Sequence, residues 1–442
     1  MVDCAHGMAM RILGRRARSR LAPLSLLLMA VPIGSVSGQQ AASAAMDSAR
    51  IRAAELVGLY EGARGFIAIS PLGAGGSMRL LLADVASDQL RMLFPVAADS
   101  FAGGPEIARP EPVQIAVRVR RSPAGRVDAL VLHRTDGVPE QARRVALRSV
   151  PVAFTSAGAR LLGTLLLPSA SRRGSYPGIV LAHGSEYNDR NSFGPVPYVL
   201  AGHGYAVLVF DKRGTGASSG SWRDAGLEPL ADDVAAAVRL LAARADVDAR
   251  RIGIVGFSEG GWVAPLAAAR TPLVRFIATI SGGGLTKGDA YVHKMRRLAE
   301  ESGLTGRALD SAVAAAETTI AESRERVRST RSSSGFDRRV AYDPTDDWRR
   351  FRGPVLAMAG ADDVLDPAAR STAWLERTLR RAGNLDVTVK LFPRGHHSLL
   401  LGVTGTPSEF ATMRGISQLV PGYWEVLTGW LARASQPRSP HD

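Results

Sequence analysis

Two pentapeptides in this chain set a serine between glycines at G-x-S-x-G spacing: Gly216-Ala217-Ser218-Ser219-Gly220 and Gly256-Phe257-Ser258-Glu259-Gly260. A serine so presented is a candidate nucleophile for acyl transfer, provided a base stands ready to take its proton. With 46 glycines in the chain the spacing alone says little, and context must separate the two copies. A nucleophile elbow needs a strand that runs directly into a sharp turn and on into a helix. Arg251-Ile252-Gly253-Ile254-Val255 reads as that strand and Gly261–Ala267 as that helix, with Pro265 expected in its first turn, where a missing N–H costs little. The first copy follows Asp211-Lys212-Arg213 in a loop and precedes no helix. Ser258 is therefore the expected nucleophile.

On a strand–elbow–helix scaffold the chain order is Ser, then acid, then His. Of the eight histidines, His6, His133, His183, His203 and His293 come too early, and His441 lies in a polar tail. His396 and His397 remain, in the loop after a strand ending at Phe392. The acid should follow the strand Pro354–Ala359, which leaves Asp362, Asp363 and Asp366 as candidates. Chain position does not choose within either cluster. Acyl transfer also needs N–H donors aimed at the developing oxyanion. One is the N–H of Glu259, the residue after the nucleophile. The second is expected from the loop His183-Gly184-Ser185, where Gly184 lets the backbone turn and the Ser185 N–H donates. His183 is expected to brace that loop.

Positioning such residues requires strands alternating with helices, and from about residue 151 the sequence has that texture. Apolar strands are expected at Gly178–Ala182, Tyr205–Phe210, Phe276–Ile280 and Val387–Phe392, with helices at Pro229–Arg244 and Tyr423–Ala434. Between Gly284 and Arg352 there is no strand pattern, but Leu309, Val313, Ala316, Ile320 and Val327 fall on one helical face. An insertion of about residues 285–352 is expected to form a helical cap over the carboxyl ends of the sheet. Residues 48–150 read instead as a small all-β domain. Gln114–Arg120 alternates with period two, and Ser122-Pro123-Ala124-Gly125 turns the chain into Val127–His133 as a hairpin.

Composition excludes several classes. Apolar content of 46% with 22% charge is that of a core-forming protein. The net charge of +14 comes almost entirely from dispersed arginine, since lysine occurs only at 212, 287, 294 and 390. No basic run is interleaved with aromatics, so no nucleic-acid partner is expected. Residues 1–38 read as a signal peptide: Arg11, Arg15, Arg16, Arg18 and Arg20 precede an apolar run from Leu21 to about Ile33 and small residues through Gly38. That run is too short to span a bilayer and is interrupted by Pro23 and Pro32, so no stable membrane span is expected after cleavage. An exported protein, periplasmic or extracellular, follows. Cys4 is the only cysteine and falls in the leader, which removes disulfides and thiol chemistry. No metal-binding motif occurs and no cofactor is expected.

The motifs His183-Gly184-Ser185 with Asp189-Arg190-Asn191, Asp211–Gly216 with Ser218 and Gly220, and Gly256–Gly261 with Trp262 and Pro265 occur in order over residues 151–435. In this they resemble bacterial α/β-hydrolase esterases related to the serine aminopeptidases. The resemblance implies an α/β-hydrolase fold with a mostly parallel sheet. It singles out Asp363, placed between Gly360 and Pro367, as the acid, and His397, four residues after Pro393, as the base. Phe257 and Glu259 stand where that family commonly has His and Gln. The Glu259 carboxylate would then either disfavour acidic substrates or point into solvent. Leu59-Tyr60-Glu61-Gly62, Leu93-Phe94-Pro95 and Asp99-Ser100-Phe101 resemble lipocalin-like β domains appended to some serine hydrolases. The expected activity is hydrolysis of a small-molecule carboxylic ester through Ser258, His397 and Asp363. A peptidase acting on short peptides or acylated amino acids is the alternative enzyme, and a binding protein on a hydrolase scaffold the alternative of another class.

Overall fold

The computed structural model describes residues 54–72, 79–135, 137–169, 175–329 and 332–437. The expected signal peptide, Cys4 and His441 lie outside them.

Short alternating strands build the first part of the fold. Strands β1 (Gly58–Gly62), β2 (Gly65–Leu72), β3 (Arg79–Asp84), β4 (Gln89–Ala97), β5 (Ser100–Gly103), β6 (Ile115–Arg121), β7 (Val127–Arg134) and β8 (Glu140–Arg144) pair antiparallel in succession, and β8 returns to β1 to close a barrel. Closure leaves no unpaired edge. The expected hairpin is β6–β7, with Val117 opposite Leu132 and both side chains inside. Arg134 spans β3 and β8 by pairing with Asp84 at 2.6 Å and Glu140 at 2.7 Å.

The sheet of the second part begins three residues after the barrel ends, with β9 (Leu147–Ser156), ahead of the change of texture near residue 151. It continues through β10 (Ala159–Pro168), β11 (Tyr176–Ala182), β12 (Ala206–Phe210), β13 (Val247–Phe257), β14 (Val274–Ile280), β15 (Val355–Gly360) and β16 (Val387–Phe392). The spatial order is β16-β15-β14-β13-β11-β12-β10-β9. Only the pairings of β10, with β9 and with β12, are antiparallel. The chain order reverses around β11, and ligand sites of open α/β sheets lie at the carboxyl ends beside such a reversal. Helices α1 (Val196–Gly202), α2 (Leu227–Ala242), α3 (Gly260–Ala268), α8 (Ala368–Arg381) and α10 (Tyr423–Ala434) flank the sheet. Every residue of β11 is buried, and its alternate side chains feed two apolar cores, Val180 and Ala182 one, Ile179 and Leu181 the other.

Between β14 and β15 run α4 (Lys287–Glu301), α5 (Gly306–Arg328), α6 (Gly335–Ala341) and α7 (Thr345–Arg350). Capping boxes at Thr286/Asp289 and Ser334/Asp337 start α4 and α6. Along α5, Val313, Ala316 and Ile320 are buried, while Leu309 and Val327 at the ends of the expected stripe are half-buried. The insertion meets loops that leave the carboxyl ends of the strands. His293 Nε2 lies 2.9 Å from the Asp363 carbonyl oxygen, Arg297 donates to Gly405 O, and Arg339 donates to Trp222 O and Ala225 O. It is a cap over that edge.

The barrel shares the second core. Leu59, Leu81, Leu90 and Met92 pack in the same cluster as Leu399, Leu400, Ile416 and Leu419. The backbone of β4, of Asp88 before it and of Ile107 after β5 also pairs with the segment after β16: Leu90 N–H donates to Ser417 O, Leu419 N–H to Asp88 O, and Ile107 N–H to Ile416 O. That segment contains a last short helix, α9 (Pro407–Thr412).

Candidate active site

β13 enters the elbow at Phe257, and α3 leaves it at Gly260. Between them Ser258 holds φ +51°, a left-handed conformation that a non-glycine residue adopts only when its surroundings force it. Two close approaches explain the flanking glycines. A Cβ on Gly256 would come 2.3 Å from Gly260 O, and one on Gly260 would come 2.3 Å from Ala182 O. Because α3 begins at Gly260, Pro265 sits at its sixth position and not in the first turn, so the helix forgoes one internal hydrogen bond there. The other G-x-S-x-G stretch is structural: Ser218 Oγ accepts from Leu162 N–H at 3.0 Å and Ser219 Oγ from Arg160 N–H at 2.8 Å.

Three loops converge on Ser258. His397 Nε2 stands 2.8 Å from Ser258 Oγ, and its Nδ1 stands 2.8 Å from Asp363 Oδ2 and 3.0 Å from Oδ1. A proton on Nδ1, held by the carboxylate, leaves Nε2 free to accept from the serine hydroxyl. Asp363 Oδ1 is in turn held by the N–H groups of Leu365 and Asp366. Burial alone would lower the His397 pKa; the Asp363 carboxylate overrides it and raises the value above 6.5. Of the other acid candidates, Asp366 is buried behind Asp363 and pushed up to about 7 by burial and by its neighbour's charge. His396 is fully buried beside Glu409, 3.1 Å away. Glu409 collects the N–H groups of Val403, Thr404 and Gly405.

On the opposite side, a Cβ on Gly184 would lie 4.0 Å from Ser258 Oγ, so the His183–Ser185 loop passes directly beside the serine. His183 Nε2 lies 2.6 Å from Phe210 O. Burial and the nearby Lys212 push its pKa down to about 3, so it braces the loop as a neutral imidazole. The side chains of the two expected oxyanion donors meet, Ser185 Oγ donating to Glu259 Oε2 at 3.4 Å. The Glu259 carboxylate neither faces solvent nor stands alone. It is 2% exposed, with Lys212 Nζ at 3.0 Å, Lys287 Nζ at 2.7 Å and an Arg339 nitrogen at 3.8 Å. Burial would raise its pKa, but the three cations hold it well below the carboxylate range. Lys212 also donates to Gly184 O at 2.8 Å. One carboxylate thus ties the elbow to the Gly184 loop, the loop after β12 and two cap helices. Sequence reasoning missed these partners, although two of the four lysines in an arginine-rich chain converge here.

A model of the alpha/beta hydrolase family matches residues 179–412, more than half of the chain. The chain belongs to the alpha/beta hydrolase family. An uncharacterized protein of Mycobacterium tuberculosis is 36% identical to this hydrolase over 121 residues, a stretch that is 27% of this chain and only 41% of that relative's length. Among solved structures it is similar to an acylaminoacyl peptidase of Pyrococcus horikoshii, at 16% identity and a TM-score of 0.48 over 85% of this chain and 55% of that one. An esterase of Pyrococcus furiosus aligns at 18% identity and a TM-score of 0.43, over 66% of this hydrolase and 92% of the esterase. A separate surface groove of the hydrolase, lined by Arg250, Arg275, Arg352 and Gln436, touches none of the residues around Ser258. The hydrogen-bond relay locates the candidate site.

Proposed function

We propose that this hydrolase cleaves carboxylic esters of small molecules by two-step acyl transfer. The observation that carries the reading is the unbroken relay Ser258 Oγ–His397 Nε2, His397 Nδ1–Asp363, with both contacts at 2.8 Å. In this reading His397 takes the Ser258 proton as the oxygen attacks the ester carbonyl. Asp363 holds the ring and stabilises the imidazolium. The N–H groups of Ser185 and Glu259 donate to the tetrahedral oxyanion. His397 then protonates the leaving alcohol, and water repeats the sequence on the acyl-enzyme. The leader sequence adds the proposal that the protein acts outside the cytoplasm, which fractionation of the producing cells tests.

The deciding experiment is hydrolysis of p-nitrophenyl esters of rising chain length alongside aminoacyl-p-nitroanilides, with a Ser258→Ala control. Ester turnover that vanishes in the control supports the proposal. Preference for the anilides would make the enzyme a peptidase. Silence on both, with no labelling by a fluorophosphonate, would leave a binding protein.

A further inference from the structure

The cluster at Glu259 carries more positive charge than it neutralises. Lys212, Lys287 and Arg339 all lie within 4.0 Å of this one carboxylate, with side chains 3%, 14% and 16% exposed. Among the described residues they reach no other carboxylate at ion-pairing distance. Their remaining partners are uncharged: Gly184 O and the Trp222 ring face for Lys212, Ser185 Oγ and the Trp262 ring face for Lys287, and Trp222 O and Ala225 O for Arg339. Nearby acids are committed elsewhere, Asp211 to Arg190 and Asp233 to Arg213. Two surplus positive charges, largely withdrawn from water, are costly unless an anion joins them. Lys287 adds to that cost, because it opens α4 at the positive end of the helix dipole.

The location says what the anion would be. Glu259 follows Ser258 in the chain, and Ser185 follows Gly184, which lies against Ser258. Lys287 and Arg339, the less buried cations, come from the cap, which stands over the carboxyl edge of the sheet where Ser258 lies. We propose that the site selects esters whose acyl group carries a carboxylate, with Lys287 and Arg339 as the recognising cations. This rests on the acyl-transfer reading above. The carboxylate of the substrate supplies the negative charge that the protein leaves out, and Lys212, sealed beneath, holds the Gly184 loop.

The test compares p-nitrophenyl hemiglutarate with p-nitrophenyl 5-methylhexanoate, which replaces the carboxylate by an isopropyl group of nearly the same shape. The intact enzyme should show kcat/KM about tenfold higher for the hemiglutarate, as one charge-assisted hydrogen bond supplies, and the ratio should shrink as salt is added. Lys287→Met and Arg339→Met should each bring the ratio toward one. Both substrates face the same Ser258 and Gly184 loop, so the ratio cancels any general loss of activity in the variants. Ser258-dependent turnover of the 5-methylhexanoate with no preference for the hemiglutarate overturns this proposal alone. Absence of Ser258-dependent turnover of both esters, together with no labelling of Ser258 by a fluorophosphonate, overturns the acyl-transfer reading with it.

Discussion

His396 and His397 are consecutive in the chain, yet their rings lie beside different carboxylates: His397 hydrogen-bonds Asp363 at 2.8 Å, and His396, fully buried, lies 3.1 Å from Glu409. Only His397 also meets Ser258.

Replacing each separates their roles. His397→Ala should lower kcat by about 10⁴-fold or more, because Ser258 loses its proton acceptor. His396→Ala should leave kcat within about tenfold but cost roughly 2–4 kcal/mol of stability, since it opens a cavity beside a buried carboxylate. Steady-state kinetics and urea unfolding on both variants check the pair; the reverse ranking in kcat would move the base to His396.

The conformation of Ser258 makes a paired prediction. Its φ of +51° suits glycine, so Ser258→Gly should abolish turnover and raise stability by about 1 kcal/mol. Ser258→Ala should abolish turnover without that gain. Thermal unfolding of the two variants side by side reads the difference.

Glu259→Gln keeps the shape of the side chain and removes its charge, leaving three cations crowded in a buried site. A loss of roughly 3–5 kcal/mol is expected, as for other buried ion clusters stripped of one partner. Unfolding within 1 kcal/mol of the parent protein would show that the cluster is hydrated and weakly coupled.

The acid limb of kcat/KM should reflect His397, which must be neutral to accept the proton. Its pKa is raised above 6.5, so activity should fall as pH drops through a midpoint higher than that value. Asp366, itself pushed up to about 7, adds negative charge near His397 when ionised and raises the imidazole further. Asp366→Asn should therefore shift the limb to lower pH. A shift to higher pH would contradict this sign.

Removing the barrel should cost the catalytic part its folded state. Starting the chain at Ala146 would expose the faces of Leu399, Leu400, Ile416 and Leu419 that pack with barrel residues, and leave Ser417 O and the Leu419 N–H without the partners that Leu90 and Asp88 supply. Insoluble or inactive protein is expected from expression trials. A soluble, fully active fragment would show that the barrel is not needed to hold the His397 loop.

Local pattern carried much of this protein. Period-two alternation marked the β6–β7 hairpin, and buried apolar runs marked β11 and β12, because a strand shows its burial in its own residues. The elbow was legible for the same reason: strand, turn and helix are contiguous around Ser258, and Gly256 and Gly260 report approaches made within that turn or by the adjoining strand. Chain order reduced the acid to three aspartates and the base to two histidines, and resemblance chose Asp363 and His397. The tertiary structure decided what no local pattern encodes. It gave His396 to Glu409, turned Glu259 inward onto Lys212 and Lys287, 47 and 28 residues away, and laid the His397 loop against the barrel. Periodicity records which face of an element is buried. Partners brought together by the crossing of distant loops leave no such trace, and they exist only once the sheet, cap and barrel have assembled.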